Sequence, residues 1–439
     1  MTGAPPIRDE QKPPVVTNSK PNRWLRAVKR RGRAVFRRLL NIGTEGPRGT
    51  RQLEATVKRH WIRGSLDDAQ SVVQAYINRR AEPKPAAFDL FCAILREKGE
   101  QEAAYRCALT AAEQHQRFFK TAIHRRNPKR TLDVTSRIFL SGYFYSGSGA
   151  VVDYLRGFSG CHKWPVPSGE LRLIKFPGGL ADLQKRLKAS GELTLLDAVD
   201  LYLHLVGRRL VDAAPGRYNM WNVVNRNSRK LVRDPRTHLY LEEGFELFKQ
   251  VAALAGRSAG THDAFGEVAR SGVARMLDAA ATSLDSERLV VDQGITAWRL
   301  PIAELVPPSS FIVVHRDPRD QYVEAQAAHL GSGRKGWDPE AFCTMYEKRR
   351  RIAERAIPRL KKRYGHRVLR LAFEDFVTDH DRTAARVREF LDLEKLGQTE
   401  KRFYPEKSIA NVGKCRGLLP EAERQFLEKR LHPYLHHAV

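Results

Sequence analysis

The chain has 439 residues, with 77 Lys+Arg against 50 Asp+Glu and a formal net charge of +27. Hydrophobic residues at 42% and aromatics at 9% supply material for a core, which excludes wholesale disorder. No apolar run reaches the roughly 18 residues that a membrane-spanning helix needs, and Met1 to Pro6 opens without the apolar stretch of a secretory signal. Cys92, Cys107, Cys161, Cys343 and Cys415 are scattered and form no C-x-x-C pair, against a zinc ribbon or a disulfide framework. These features are those expected of a basic cytoplasmic protein. Charge of this size calls for a polyanionic partner: nucleic acid, anionic lipid or a multiply phosphorylated small molecule.

In chain order, residues 1–19 are Pro-rich and polar and read as a disordered lead-in. From Lys20 to Arg38 nine basic residues stand without an acid, interleaved with Trp24, Leu25, Val28, Val35 and Phe36. The apolar spacing predicts a basic amphipathic helix, with peripheral contact to the inner face of an anionic membrane as its functional reading and a solvated arm as the alternative. Residues 50–120 read as helical and carry a weak repeat: Gly64 and Ala69 recur 35 residues later as Gly99 and Ala104. This resembles two tetratricopeptide-like hairpins, a surface for a protein partner.

The charged cluster His124 to Arg130 marks a boundary. Beyond it, Ser136–Leu140, Leu289–Val291, Phe311–His315 and Val368–Phe373 read as buried strands, with helical patterns such as Asp338–Tyr364 between them. The predicted organisation is a basic N-terminal segment (1–45), a helical-hairpin region (46–130) and an α/β domain (131–439). That domain is expected to hold a doubly wound parallel sheet with a P-loop-like nucleotide site.

The first of these strands runs into Gly142-Tyr-Phe-Tyr145-Ser146-Gly147-Ser148-Gly149 and then an apolar helix. Glycines let backbone N–H groups face an anion, and a helix N-terminus favours negative charge. Gly142 and Gly147 match the first half of a nucleotide triphosphatase loop, but Ser148-Gly149 stands where that motif has Lys and Ser/Thr. Ordinary triphosphate hydrolysis is therefore not expected. A second strand ends at Arg316 and opens into Asp317-Pro318-Arg319-Asp320, with Asp317 suited to an N-cap and Pro318 to a first turn. An arginine at a strand's carboxyl end suits a bidentate phosphate contact.

Together the two segments resemble the sulfotransferases that use 3′-phosphoadenosine 5′-phosphosulfate (PAPS). Phe144 to Gly149 looks like the family's 5′-phosphosulfate loop, and Val313 to Asp320 like its 3′-phosphate strand–turn–helix. Leu369 to Phe376, Phe390 to Leu393 and Pro405 to Lys414 look like later segments of the same family in the same order. The resemblance implies PAPS as co-substrate, no metal, and a hydroxyl acceptor, with a glycan or glycolipid the expected class. It assigns Tyr145, Ser146, Gly147, Ser148 and Gly149 to the 5′ end, through the backbone N–H groups of Ser146 to Gly149 and the Ser148 hydroxyl. Arg316, Lys407, Ser408 and Lys414 fall at the 3′ end.

Two positions depart from the family. Tyr145 stands where Lys or Arg precedes Ser-Gly, and Glu324 stands where a serine is common. Lys175, ending the strand-like Leu171–Lys175, is the candidate substitute cation. Glu170 is the preferred general base, with His162 as the other candidate. Asn219, Asn222, Asn225 and Trp221 form a polar–aromatic cluster that suits a sugar acceptor, or else a helix surface. Two other readings remain. One is a sulfotransferase-like nucleotide-binding protein without activity, which Tyr145 and Glu324 favour. The other is a nucleic-acid-binding protein, for which no zinc finger, basic zipper or RNA-recognition signature is found; nucleic acid is therefore not expected as a partner. The basic run Lys348–Arg363 reads as a solvated helix face.

Overall fold

The computed structural model describes residues 49–124, 136–143, 145–164, 171–210, 220–257, 261–331 and 336–436, with the backbone alone for 121–124 and 220–223. The expected basic helix at Lys20–Arg38, most of the boundary cluster, Phe144, Glu170 and Asn219 lie outside the described residues, as do the side chains of Trp221 and Asn222. No described helix is long and apolar enough to cross a membrane.

Among the described residues four helices come first: α1 (Thr50–Ile62), α2 (Leu66–Asn78), α3 (Pro85–Lys98) and α4 (Gln101–His124). They form two hairpins that turn at Gly64 (φ +76°) and Gly99 (φ +78°), left-handed positions that suit glycine. Ala69 and Ala104, five residues after each glycine, are fully buried, so the small side chain lets the helices close up.

The sheet follows: β1 (Ser136–Gly142), β2 (Cys161–Lys163), β3 (Arg288–Asp292), β4 (Ser310–His315) and β5 (Arg367–Ala372), in spatial order β2-β3-β1-β4-β5. Every pairing is parallel. The helices that matter most to the core and the site are α5 (Ser148–Leu155), α6 (Leu195–Val206), α7 (His238–Ala252), α8 (Thr261–Leu284), α9 (Pro318–Gly331) and α10 (Pro339–Tyr364). The four expected buried strands are present, and β2, only three residues long, is not among them. The fifth stops at Ala372, one residue short of expectation, because Phe373 opens a helical turn, Phe373–Thr378. Leu171–Lys175 is not strand-like: Arg172–Lys175 is a short helix, with Leu173, Ile174 and Lys175 all turned inward.

Both faces of the sheet are covered, which is why its strands read as continuous apolar runs. Alternation assigns Ile138, Leu140, Val290, Ile312 and Val314 to one core, with Val151, Val152 and Leu155 of α5. Phe139, Leu289, Val291, Phe311 and Val313 belong to the other, larger core, with α6, α7 and α8. Phe139 and Phe311 stack across neighbouring strands with centroids 4.9 Å apart. The α3–α4 hairpin enters this larger core through Cys92, Leu95, Ala108, Ala112 and Phe119.

Polar groups fasten the same contact. Asp89 of α3, 2% exposed, accepts a hydrogen bond from Tyr202 Oη of α6 at 2.5 Å and meets His115 Nε2 of α4 at 2.9 Å. Arg96 adds a two-pronged pair with Asp200, at 2.8 and 3.2 Å. The expectation of a solvated face over Lys348–Arg363 holds only in part. Arg349 lies over the Trp298 ring at 4.1 Å and Arg350 over Tyr143 at 5.0 Å, so both turn toward the protein.

Removing Asp89 leaves two buried donors facing nothing. Asp89→Ala should therefore cost about 3 kcal/mol in urea unfolding, against less than about 0.5 kcal/mol for Glu102→Ala, whose pair with Arg106 is exposed. Burial, reinforced by the charges of Arg172 and Arg350 respectively, pushes His204 and His315 down to about 4. Both stay neutral in the fold while the unfolded chain takes up protons below its ordinary value of 6.5, so stability is complete above that pH and drains away toward pH 4. Unfolding followed from pH 7 to 4 should show this loss, with a shallower slope in His204→Gln.

Candidate functional site

After β1, helix α5 packs in the core on one face of the sheet, and after β4, helix α10 packs in the core on the other, although the two strands are neighbours. In an open parallel sheet such a divergence leaves a crevice at the carboxyl ends, where ligands bind. The glycine loop leaves β1 there, and Arg316 follows β4 there.

Two left-handed residues, Tyr145 (φ +51°) and Gly147 (φ +79°), fold the loop back on itself. The Ser146 N–H donates to Tyr143 O at 3.1 Å, so it closes this turn instead of facing an anion, a correction to the sequence reading. Helix α5 then starts at Ser148; the Ala150 N–H donates to the cap carbonyl, Gly147 O, at 3.0 Å, which leaves the N–H groups of Ser148 and Gly149 without an intrahelical acceptor. The Ser148 hydroxyl accepts from Gln293 Nε2 at 2.5 Å. The Ser146 hydroxyl, 2% exposed, has no hydrogen-bond partner among the described residues.

Arg316 is 4% exposed. Its guanidinium lies over the Phe373 ring at 5.2 Å and donates to Tyr145 O at 3.4 Å and to Asn411 O, while its Nε has no hydrogen-bond partner among the described residues. Asp317 does cap α9, accepting from Arg319 N at 2.9 Å. The Glu374 carboxylate accepts the Asp317 N–H at 2.8 Å and so holds the turn from β5's side. Asp320 ties down the C-terminal loop, accepting from Gly413 N at 2.7 Å and Cys415 N at 2.8 Å.

One cleft of about 450 Å³ joins these parts. Tyr145, Gly147 and Gly149 line it from the loop, Arg316, Glu324 and Phe373 from the strand ends, and Arg402, Lys407, Ser408 and Asn411 from the C-terminal segment. Six of the expected binding residues thus share one cavity. Lys407 reaches it over the Tyr404 ring, 4.3 Å away. Lys414 does not line it; its Nζ pairs with Glu324 at 2.8 Å. Glu324 does face the cleft, 3.8 Å from Arg316, and Lys414 offsets its charge there.

Lys175 is buried, and its Nζ donates to Gln293 O at 3.0 Å, one residue away from the Ser148 hydroxyl. His162, on β2, is exposed. Asn225 clamps the Arg209 backbone, accepting from its N–H at 3.1 Å and donating to its carbonyl at 2.6 Å, so it serves the fold and not a sugar. Gln293, Phe373, Arg402 and Asn411 escaped the sequence reading as site residues. Phe373 and Asn411 stand inside segments it singled out, whereas Gln293 and Arg402 carry no local signal. Among the described residues, no group of three or more His, Cys, Asp or Glu side chains gathers as a metal site would.

A Cβ on Gly147 would sit 2.3 Å from the Phe373 ring, at a φ that side chains rarely adopt. Gly147→Ala should lower stability by about 2 kcal/mol in thermal unfolding, while Gly149→Ala, where a Cβ meets open space, should cost less than about 1 kcal/mol.

Residues 212–396 match the model of a family described as the sulfotransferase family. A search of curated protein sequences finds no match. Among solved structures, the chain is similar to the sulfotransferase domain of the Synechococcus PCC 7002 olefin synthase, at 16% identity over 71% of this chain and 99% of that one, with a TM-score of 0.35. It is also similar to the sulfotransferase STF9 from Mycobacterium avium, at 13% identity over 83% and 89%, with a TM-score of 0.33. The family match takes in β3, β4, the Arg316 turn and β5, and begins after the glycine loop. Over residues 212–396, the chain is thus similar to the sulfotransferase family.

Proposed function

We propose that the domain moves a sulfuryl group from PAPS to a hydroxyl acceptor, with a carbohydrate or glycolipid as the acceptor class. The observation that carries this reading is one cleft lined by both the glycine loop and Arg316. A helix N-terminus and an arginine facing one cavity suit a nucleotide with phosphates at its 5′ and 3′ positions. The Arg316 Nε, buried without a hydrogen-bond partner among the described residues, fits an anion in this cleft.

PAPS would supply an activated sulfuryl group whose leaving group is the 5′-phosphate. Sulfuryl transfer asks little covalent chemistry of the protein, so positioning and charge stabilisation carry it. The α5 N-terminus and the Ser148 hydroxyl would hold the 5′ end and stabilise charge that develops there. Arg316 would hold the 3′-phosphate, with Lys407 and Ser408 closing from the C-terminal loop. Lys414 would act indirectly by offsetting Glu324. Lys175 is proposed to supply the cation that Tyr145 does not, from the far side of Gln293, and Glu170 to take the acceptor's proton. The segment Lys20–Arg38, outside this domain, is proposed to meet an anionic membrane face.

Isothermal titration with adenosine 3′,5′-bisphosphate should show binding that Arg316→Ala weakens by about 100-fold, the loss expected for a buried charge-assisted phosphate contact. No binding by the unaltered chain would sink the assignment. Transfer of labelled sulfate from PAPS to an acceptor extract then separates an active enzyme from the inactive nucleotide-binding reading that Tyr145 favours.

A further inference from the structure

Gln293 follows β3 with φ +54°, an uncommon conformation for a residue with a side chain. Its backbone is held on both sides: the N–H donates to Leu140 O at 2.9 Å, and the carbonyl accepts from Lys175 Nζ at 3.0 Å. So placed, the side chain passes over Gly142 and donates from Nε2 to the Ser148 hydroxyl at 2.5 Å. Gly142 makes the passage possible, since a Cβ there would lie 2.3 Å from Ser146 Oγ, 2.5 Å from Gln293 Nε2 and 3.2 Å from Ser148 Oγ. Three polar groups thus converge over one glycine, and the Ser146 hydroxyl is buried without a hydrogen-bond partner among the described residues.

A hydroxyl has one proton to give and two lone pairs to receive. When an N–H occupies one lone pair of Ser148, the hydroxyl proton must point away from Gln293, toward some other acceptor. A phosphate oxygen can only accept. We infer that Gln293 is a positioning residue that fixes Ser148 as a hydrogen-bond donor to the 5′-phosphate end of the nucleotide. This rests on the nucleotide reading of the cleft given above. It also gives Lys175 a second task, because the Lys175 ammonium holds the carbonyl from which the Gln293 side chain is aimed.

The test compares two ligands by isothermal titration: adenosine 3′,5′-bisphosphate, and adenosine 3′-monophosphate, which lacks the 5′ anion. Gln293→Leu is expected to weaken the bisphosphate about tenfold and to leave the 3′-monophosphate within about twofold. Gln293→Glu keeps the size but offers Ser148 an acceptor, which turns the proton inward and adds a negative charge; bisphosphate binding should fall by about 50-fold. Ser148→Ala alone should cost about as much as Gln293→Leu, and the double variant no more than either, because the two act through one hydrogen bond. Retained binding of the 3′-monophosphate reports that each variant is folded. Should Gln293→Leu not fold, the Gln293→Glu and Ser148→Ala comparison puts the same question. Equal losses for both ligands, or additive losses in the double variant, would overturn the inference. Failure of the unaltered chain to bind the bisphosphate would overturn the nucleotide reading instead, a different result from a loss confined to one ligand.

Discussion

Gly147 lies flat against the Phe373 ring, and the Arg316 guanidinium lies over the same ring. That one aromatic side chain, 3% exposed, thereby spaces the glycine loop from the strand-end arginine. The contact needs three things at once. Glycine must stand at 147, because a Cβ would enter the ring; β5 must end at Ala372, so that Phe373 turns inward; and β1, β4 and β5 must be consecutive in the sheet. Glu374, next in sequence, fixes the Asp317 N–H, so two adjacent residues of the β5 end hold both the loop and the turn. The cleft is therefore a property of packing across three strands and not of any one motif.

The sheet that fixes this spacing is held from behind by the helices that precede it in the chain. The α3–α4 hairpin shares its apolar core with α6 and α7, and the Asp89–His115–Tyr202 cluster crosses the same boundary inside it. Hydrogen bonds in so dry a place are strong when complete and costly when broken. The helical region and the sheet are thus packed as one body across this contact.

Charge is distributed unevenly between the surface and the cleft. Within the cleft the cations do not stand alone: Arg316 has Asp320 at 4.0 Å and Glu324 at 3.8 Å, and Lys414 pairs with Glu324. The acids keep a buried guanidinium affordable in free-energy terms and at the same time bind the C-terminal loop to α9 through Asp320. The net charge of +27 is therefore a poor guide to this site. Its densest run, Lys20 to Arg38, lies elsewhere in the chain.

Local chemistry made much of this legible without coordinates. Strands buried on both faces have to be apolar runs, the turn glycines at 64 and 99 have to sit where helices reverse, and Asp317-Pro318 has to begin a helix; each depends on near neighbours in the chain. The glycine loop and Arg316 were recognisable for the same reason. What the sequence left open depended on residues far apart in it. Leu171–Lys175 has the apolar content of a strand, yet it coils into a helical turn, and no pattern of five residues distinguishes the two. Gln293 stands 145 residues from Ser148, and Lys414 stands 90 from Glu324, so neither pairing has a local signature. By itself, the sequence determined the four longer strands and which loop ends in a helix. Only the tertiary structure decided that β1 and β4 lie side by side, that Glu324 faces the cleft with Lys414 beside it, and that Gln293 reaches Ser148, because hydrogen-bond partners are chosen by distance in space.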